Sequence, residues 1–350
     1  MNKVAKTLGL VLLLALAAGA WLAWQAQAFL RTAPETPGRE VLFDVLPGAS
    51  FGQVAASLER KGLITEARKF CWLARWKDWD NRLQAGRFAL STGWTPDKVL
   101  NALVNGMPVL FRVTVPEGLT WWQTAKLLED AGMVRFEDFS HIIRDQEFLR
   151  HYGIPFGSAE GFLMPDTYLL KKKDVPDAAQ ARAVAGRMVD NFWRRAAALW
   201  PGGKPPPREE LKTCVILASI VEKETAVEAE RPRVAGVYRN RLDKGMLLQA
   251  DPTVIYGLGL NFHGNLLRKH LNDSSNPYNT YQRPGLPPGP ICSFGVAALS
   301  AALHPEAHNY LYFVAKVDGG NHAFSTNLEE HNKAVRRYLN KRRMARTSTQ

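Results

Sequence analysis

Cysteine is scarce in this sequence, and one long stretch near its start carries no charge. Only three cysteines, Cys71, Cys214 and Cys292, occur in 350 residues, none in CxxC spacing. That argues against a disulfide framework and a cysteine-built zinc site; Cys71 and Cys214 sit in apolar runs of helical pattern and read as small core residues. The eight histidines include no HExxH motif. His304 and His308 have the spacing of two ligands on one helical turn, but Pro305 follows at once and no flanking carboxylate supports them. No metal site and no cofactor are therefore expected.

The uncharged stretch runs from Thr7 to Leu30, around LGLVLLLALAAGAWLAW. It is long enough to cross a bilayer with slight tilt, and Trp21 and Trp24 suit the far interface. Lys3 and Lys6 on the short side predict an N-terminus inside and the remainder outside. Ala26-Gln27-Ala28 has the small-x-small form of a cleavage site, but the apolar run is longer than a usual signal core, which favours an uncleaved anchor. Under either reading the bulk of the chain works outside the cytoplasm. The net charge of +12 then does not point to nucleic acid. Much of the excess lies between Lys333 and Arg346, an exposed terminal helix or tail. Lipid headgroups and cell-wall carboxylates suit a diffuse positive field, and solubility alone explains it equally well.

After a polar tether, RTAPETPGR, the segment VLFDVLPGASFGQVAASLERKGLI reads as strand, Pro-Gly turn and helix. Residues 43–64 lie without gaps on residues 113–134, with Val45, Gly48, Gln53, Ala55, Leu58, Glu59 and Gly62 matching Val115, Gly118, Gln123, Ala125, Leu128, Glu129 and Gly132. The strand–turn–helix unit is used twice, too few copies for a solenoid. Between them, TEARKFCWLARWKDW reads as a helix, LQAGRFAL as a strand and TPDKVLNALVNG as a short helix. This β-α-α-β arrangement of residues 40–112 resembles a LysM-like module, a type that binds glycan chains. Trp72, Trp76, Trp79 and Trp94 offer faces for sugars, but aromatics at helical spacing usually pack, and they read as core and cover.

The rest of the chain is organised around REELKTCVILASIVEKET, residues 208–225. Glu209 and Glu210 place negative charge in a first helical turn. Leu211 to Val221 is apolar on nearly every side, the pattern of a helix buried in the middle of a domain. It delivers Glu222 and Glu224, and burial raises a carboxyl toward the range a general acid needs at neutral pH. The alternative is that both are helix-end residues paired with Lys223, Arg231 or Arg233. Periodicity does not choose between the two, since Glu224 continues the stripe of Leu217 and Val221 and Glu222 that of Val215 and Ala218. Glu160, Asp166 and Tyr168 fall in a Gly- and Pro-marked loop, where binding groups concentrate. Asp251 is either a cap before Pro252 or a substrate contact, and Gln249, Asn279, Tyr281 and Asn327 either bond sugar groups or satisfy loop backbone.

Several separated pieces, EGFLMPDTY, ASIVEKET, LQADPTVIYGLG, YNTYQRPGLPPGPI, HPEAHNYLYFVA and HAFSTNLEEHN, together resemble the YceG-like family of endolytic murein transglycosylases. Their order and spacing, behind the anchor and the LysM-like module, cover nearly the whole exported chain. The resemblance implies lytic cleavage between N-acetylmuramic acid and N-acetylglucosamine within glycan strands, ending strand elongation beside peptidoglycan synthases. Its catalytic glutamate is the second acid of VEKE, which falls on Glu224. The expected protein is α+β and single-pass in the inner membrane, its N-terminus cytoplasmic and its catalytic domain periplasmic. Residues 1–38 form stub, anchor and tether, 39–112 the LysM-like module, 113–345 the catalytic domain and 346–350 a tail. A hydrolytic muramidase and a non-catalytic glycan-binding scaffold remain the rivals. A hydrolase needs a second carboxylate, for which Asp251 is the candidate.

Overall fold

The computed structural model describes residues 2–347 except 47, 174, 263 and 317–319. Pro47 of the expected turn and residues 348–350 of the expected tail lie outside the described residues. The chain is mixed α and β, and it divides into two compact units, Met1–Phe111 with Leu169–Val175, and Arg112–Tyr168 with Pro176–Gln350.

In the smaller unit, α1 (Asn2–Arg31) is followed by β1 (Glu40–Val45), α2 (Phe51–Arg60), α3 (Ala67–Trp76), β2 (Gly86–Ser91) and α4 (Pro96–Asn105). Within α1, Leu10–Arg31 is long and apolar enough to cross a membrane. The strands β1 and β2 pair antiparallel with Phe43 opposite Phe88. These two rings, Phe70, Leu90 and the α1 residue Phe29 share one core. The tether is fastened rather than loose. The Glu35 and Arg39 amides donate to the Thr92 carbonyl (3.1 Å) and hydroxyl (2.9 Å), and Gly38 approaches the Gly93 backbone so closely that a Cβ would overlap it.

One expectation fails here. Trp79 and Trp94 do pack on the core, but Trp72 and Trp76 are 76% and 79% exposed. Phe70, Leu73 and Ala74 fill the inward stripe of α3, and a ten-residue helix has one such stripe, so the other aromatics face out.

The chain continues through β3 (Phe111–Val115), α5 (Trp121–Asp130), α6 (Phe136–Ile142), α7 (Gln146–His151), β4 (Asp166–Leu170) and α8 (Ala178–Ala197). It then forms α9 (Arg208–Glu224), α10 (Arg231–Asp243), α11 (Asp251–Leu258), α12 (Arg268–Leu271), α13 (Val296–Leu303), β5 (Tyr312–Ala315), β6 (His322–Ser325) and α14 (Leu328–Thr347). The described strands form three two-stranded sheets, β1 with β2, β3 with β4 and β5 with β6. His322–Ser325 completes the antiparallel β5–β6 hairpin, with Phe313 opposite Phe324.

The repeated unit is real at the level of hydrogen bonds. Ser50 with Gln53, and Thr120 with Gln123, close reciprocal capping boxes at the starts of α2 and α5. Gly62 and Gly132 end those helices at φ 67° and 69°, where a side chain would strain the backbone.

Helix α9 is the axle of the larger unit. Every residue from Cys214 to Val221 is buried. Such burial needs neighbours on all sides, and α10, α11 and α13 supply them. The small buried residues Ala298, Ala301 and Ala302 let α13 approach closely. Ser219, the polar member of the stretch, donates to the Ile216 carbonyl (2.7 Å) and accepts from the Ile291 amide (3.0 Å), so its burial leaves nothing unsatisfied.

Candidate active site

Glu224 is the last residue of α9, and its carboxyl lies in the wall of a cleft of about 440 Å³. Two turns into α10, the Tyr238 hydroxyl donates to Glu224 Oε1 at 2.9 Å. Arg241, one turn further, ties the walls together. Its Nε donates to the Leu311 carbonyl (2.7 Å), its Nη1 to the Leu248 carbonyl (2.8 Å), and its guanidinium lies over the Tyr312 ring. Asp251 opens α11, and its Oδ1 accepts from the Tyr281 hydroxyl at 2.6 Å. Gln249 holds a left-handed backbone, φ 50°, although it is not glycine, and its side chain lines the same cleft. Strained conformations of this kind persist where the surroundings impose them, and here the Gln249 amide is fixed to the Thr280 carbonyl.

Burial pushes the Glu224 carboxyl up to about 7, and the nearby Asp251 charge adds to the rise, while the Tyr238 hydroxyl and Arg241 oppose it. The group therefore changes protonation near neutral pH, as a residue that must both give and take a proton requires.

Glu222 faces elsewhere. Its Oε1 accepts from Arg231 at 3.1 Å and its Oε2 from the Gly295 amide at 3.1 Å, with the side chain 6% exposed. The pairing with Arg231 that sequence offered as an alternative thus holds for Glu222, as a buried pair rather than a solvated one.

Of the other candidates, Gln249, Asp251 and Tyr281 meet Glu224 in the cleft. Asn279 does not. It is fully buried, its Nδ2 donates to the carbonyls of His270, Leu271 and Asp273, and its Oδ1 accepts from the Tyr281 amide. It satisfies loop backbone and thereby holds Tyr281 in place. Asn327 caps α14 by accepting from the Glu330 amide at 2.9 Å. Asp166 and Tyr168 lie on β4 rather than in a loop. The Tyr168 hydroxyl donates to the Met164 carbonyl (2.5 Å) and accepts from Asn191 (3.1 Å), which leaves the side chain buried. Glu160 is buried as well, its Oε2 accepting from the Trp121 amide at 2.9 Å, and burial raises its carboxyl to about 8. His308 spends both ring nitrogens on the fold, Nε2 with the Arg233 carbonyl (2.9 Å) and Nδ1 with the Tyr310 amide (3.0 Å). Among the described residues no cluster of three or more potential metal ligands occurs.

Sequence reasoning missed Tyr238, Arg241, Tyr312 and His331, all of which line the cleft. The three-residue spacing of Tyr238 and Arg241 puts them on one face of α10, the only signal available. His331 stacks on Tyr312 with ring centroids 5.1 Å apart, a pairing of two distant segments that no local pattern reveals.

The family model described as the YceG-like family matches residues 43–337. A Bacillus subtilis protein named endolytic murein transglycosylase is 29% identical over 314 residues, covering 85% of this chain and 85% of that protein. A Streptococcus pneumoniae protein of the same name is 26% identical over 322 residues, and there the match spans 84% of this chain and 57% of the longer relative. A crystal structure of a yceG-like protein from Listeria monocytogenes is similar at 31% identity with a TM-score of 0.55, covering 84% of this chain and 99% of that one.

Proposed function

The chain belongs to the YceG-like family, and from that premise we propose that it is an endolytic lytic transglycosylase of peptidoglycan with Glu224 as its single acid–base group. The observation that carries the reading is a carboxyl poised at about 7 in the wall of a 440 Å³ cleft. Protonated, Glu224 donates to the glycosidic oxygen between N-acetylmuramic acid and N-acetylglucosamine as that bond breaks. Ionised, it takes the proton of the muramyl 6-hydroxyl, whose oxygen closes on C1 to give the 1,6-anhydro ring. The proton count closes with one carboxyl and no water. Asp251, held by Tyr281, adds to the rise that burial gives the Glu224 carboxyl and puts negative charge in the cavity where C1 becomes positive. Gln249 supplies an exposed amide to sugar hydroxyls at the rim.

In this proposal α1 is an uncleaved inner-membrane anchor, with the two units in the periplasm beside the synthases that make the strand. The smaller unit acts as a LysM-like module. The antiparallel pairing of β1 with β2 across two helices supports it, as does a cavity of about 510 Å³ at the β1–α2 turn lined by Ser50, Asp80 and Asn81.

Mass spectrometry of products from purified sacculi tests the reaction. Anhydro-muramyl ends without added water are expected, and reducing ends would mean a hydrolase. The pH profile tests the assignment of the acid. Above about 7, kcat/KM falls roughly tenfold per pH unit as Glu224 ionises. Tyr238→Phe removes a hydrogen bond that favours the carboxylate, so this limb moves to higher pH. Asp251→Asn removes a charge that favours the acid, so the limb moves to lower pH.

A further inference from the structure

The outward face of α3 carries Arg68, Trp72, Arg75 and Trp76, and all four are exposed. A lone exposed tryptophan is ordinary; two, one helical turn apart with arginines beside them, are not. Their neighbours give the face a meaning. Ala26, Phe29 and Leu30 of α1 join Trp72, Leu73 and Trp76 in an apolar groove of about 180 Å³. Lys69 Nζ donates to Gln25 of α1 at 3.2 Å, and Phe29 is 6% exposed within the core of the same unit. The end of α1 is therefore part of the folded unit rather than a swivel.

The exposed apolar belt of α1 runs from Leu8 to Trp24. The groove begins at Ala26, so no polar spacer separates belt from fold. The groove residues Ala26 to Leu30 lie about 3 to 9 Å beyond Trp24 along the helix, and the headgroup zone of one leaflet, on the order of 6 Å deep, falls within that range. A helix leaving the bilayer at Trp24 thus brings α3 to the surface at headgroup level.

We propose that the α3 face of Arg68, Trp72, Arg75 and Trp76 rests in the headgroup layer of the bilayer that α1 crosses, a proposal that depends on the reading of α1 as the anchor. The indole rings sit at the boundary between acyl chains and headgroups, which tryptophan favours, and the arginines meet the phosphates of anionic phospholipid. The contact fixes the tilt of the smaller unit against the membrane.

Nanodiscs of phosphatidylethanolamine and phosphatidylglycerol holding the full chain test this, with brominated acyl chains as quenchers of tryptophan emission. The paired change Trp72→Phe with Trp76→Phe alters two largely exposed rings at the edge of the groove and keeps an aromatic ring at each position. It is expected to remove about half of the lipid-quenched emission, Trp21 and Trp24 providing the rest. Equal quenching in both proteins, with the chain resisting alkaline carbonate extraction, would overturn the surface contact while leaving the anchor intact. Quenching of Trp72 and Trp76 by added glycan chains but not by brominated lipid would overturn it in favour of a sugar platform. No lipid quenching in either protein, with release by carbonate, would overturn the anchor and this proposal together.

Discussion

Changing Glu224 to Gln is expected to reduce release of anhydro-muropeptides roughly 10²- to 10⁴-fold, the usual contribution of a positioned acid–base group. The amide keeps the shape and still accepts from Tyr238, but it has no proton to give and takes none back. The same change should stabilise the protein above neutral pH. The folded carboxyl titrates at about 7 against an ordinary value of 4.5. Its stabilising contribution is fully present below about 4.5 and is lost as pH rises through 7. Ionised Glu224 then costs the fold on the order of 3 kcal/mol, which an amide does not incur. Thermal melts should therefore place the variant above the parent at pH 8 and close to it at pH 4. A variant equally inactive but less stable at pH 8 would mean that Glu224 is an ionised structural residue.

Glu222→Ala is the counterpart, with stability lost and chemistry retained. Arg231 is 8% exposed, and removing its partner strands a buried guanidinium, an error of about 3 kcal/mol. Glu117, 3.6 Å from Arg231, softens the loss. Burial raises the Glu222 carboxyl even with Arg231 beside it. The ion pair thus does not fully offset its own desolvation, and the cost of the change comes from the arginine left behind rather than from a strong bond lost. Glu222→Gln, which still accepts from the Gly295 amide, should fall between the two. The measurement is a denaturation curve alongside turnover of the remaining folded protein. Loss of turnover at full stability would transfer the acid–base role from Glu224 to Glu222.

The local pieces were legible because their causes are local. The match of residues 43–64 to 113–134 carried its own capping residues, Gln53 and Gln123, and its own terminators, Gly62 and Gly132, so both copies form the same helix end by end. Trp72 and Trp76 misled because helical spacing assigns residues to a face without saying which face has a neighbour. Asn279 stayed open between sugar contact and loop backbone until the fold showed the second, since a buried amide serving three carbonyls and a polar loop residue facing solvent look alike in sequence.

The sequence by itself determined that the stretch from Thr7 to Leu30 is uncharged and helical in pattern, that the middle of α9 is buried on all sides, and that two carboxyls stand at its end. Which carboxyl meets the cleft was decided only in three dimensions. Residues two apart on a helix point about 200° from one another, so one of the pair had to face each way. The choice fell to α10, which brings Arg231 to Glu222 from its first turn and Tyr238 to Glu224 two turns later. Desolvation then completed the difference, because it depends on the walls that Asp251, Tyr281 and Tyr312 build from segments far away in the chain.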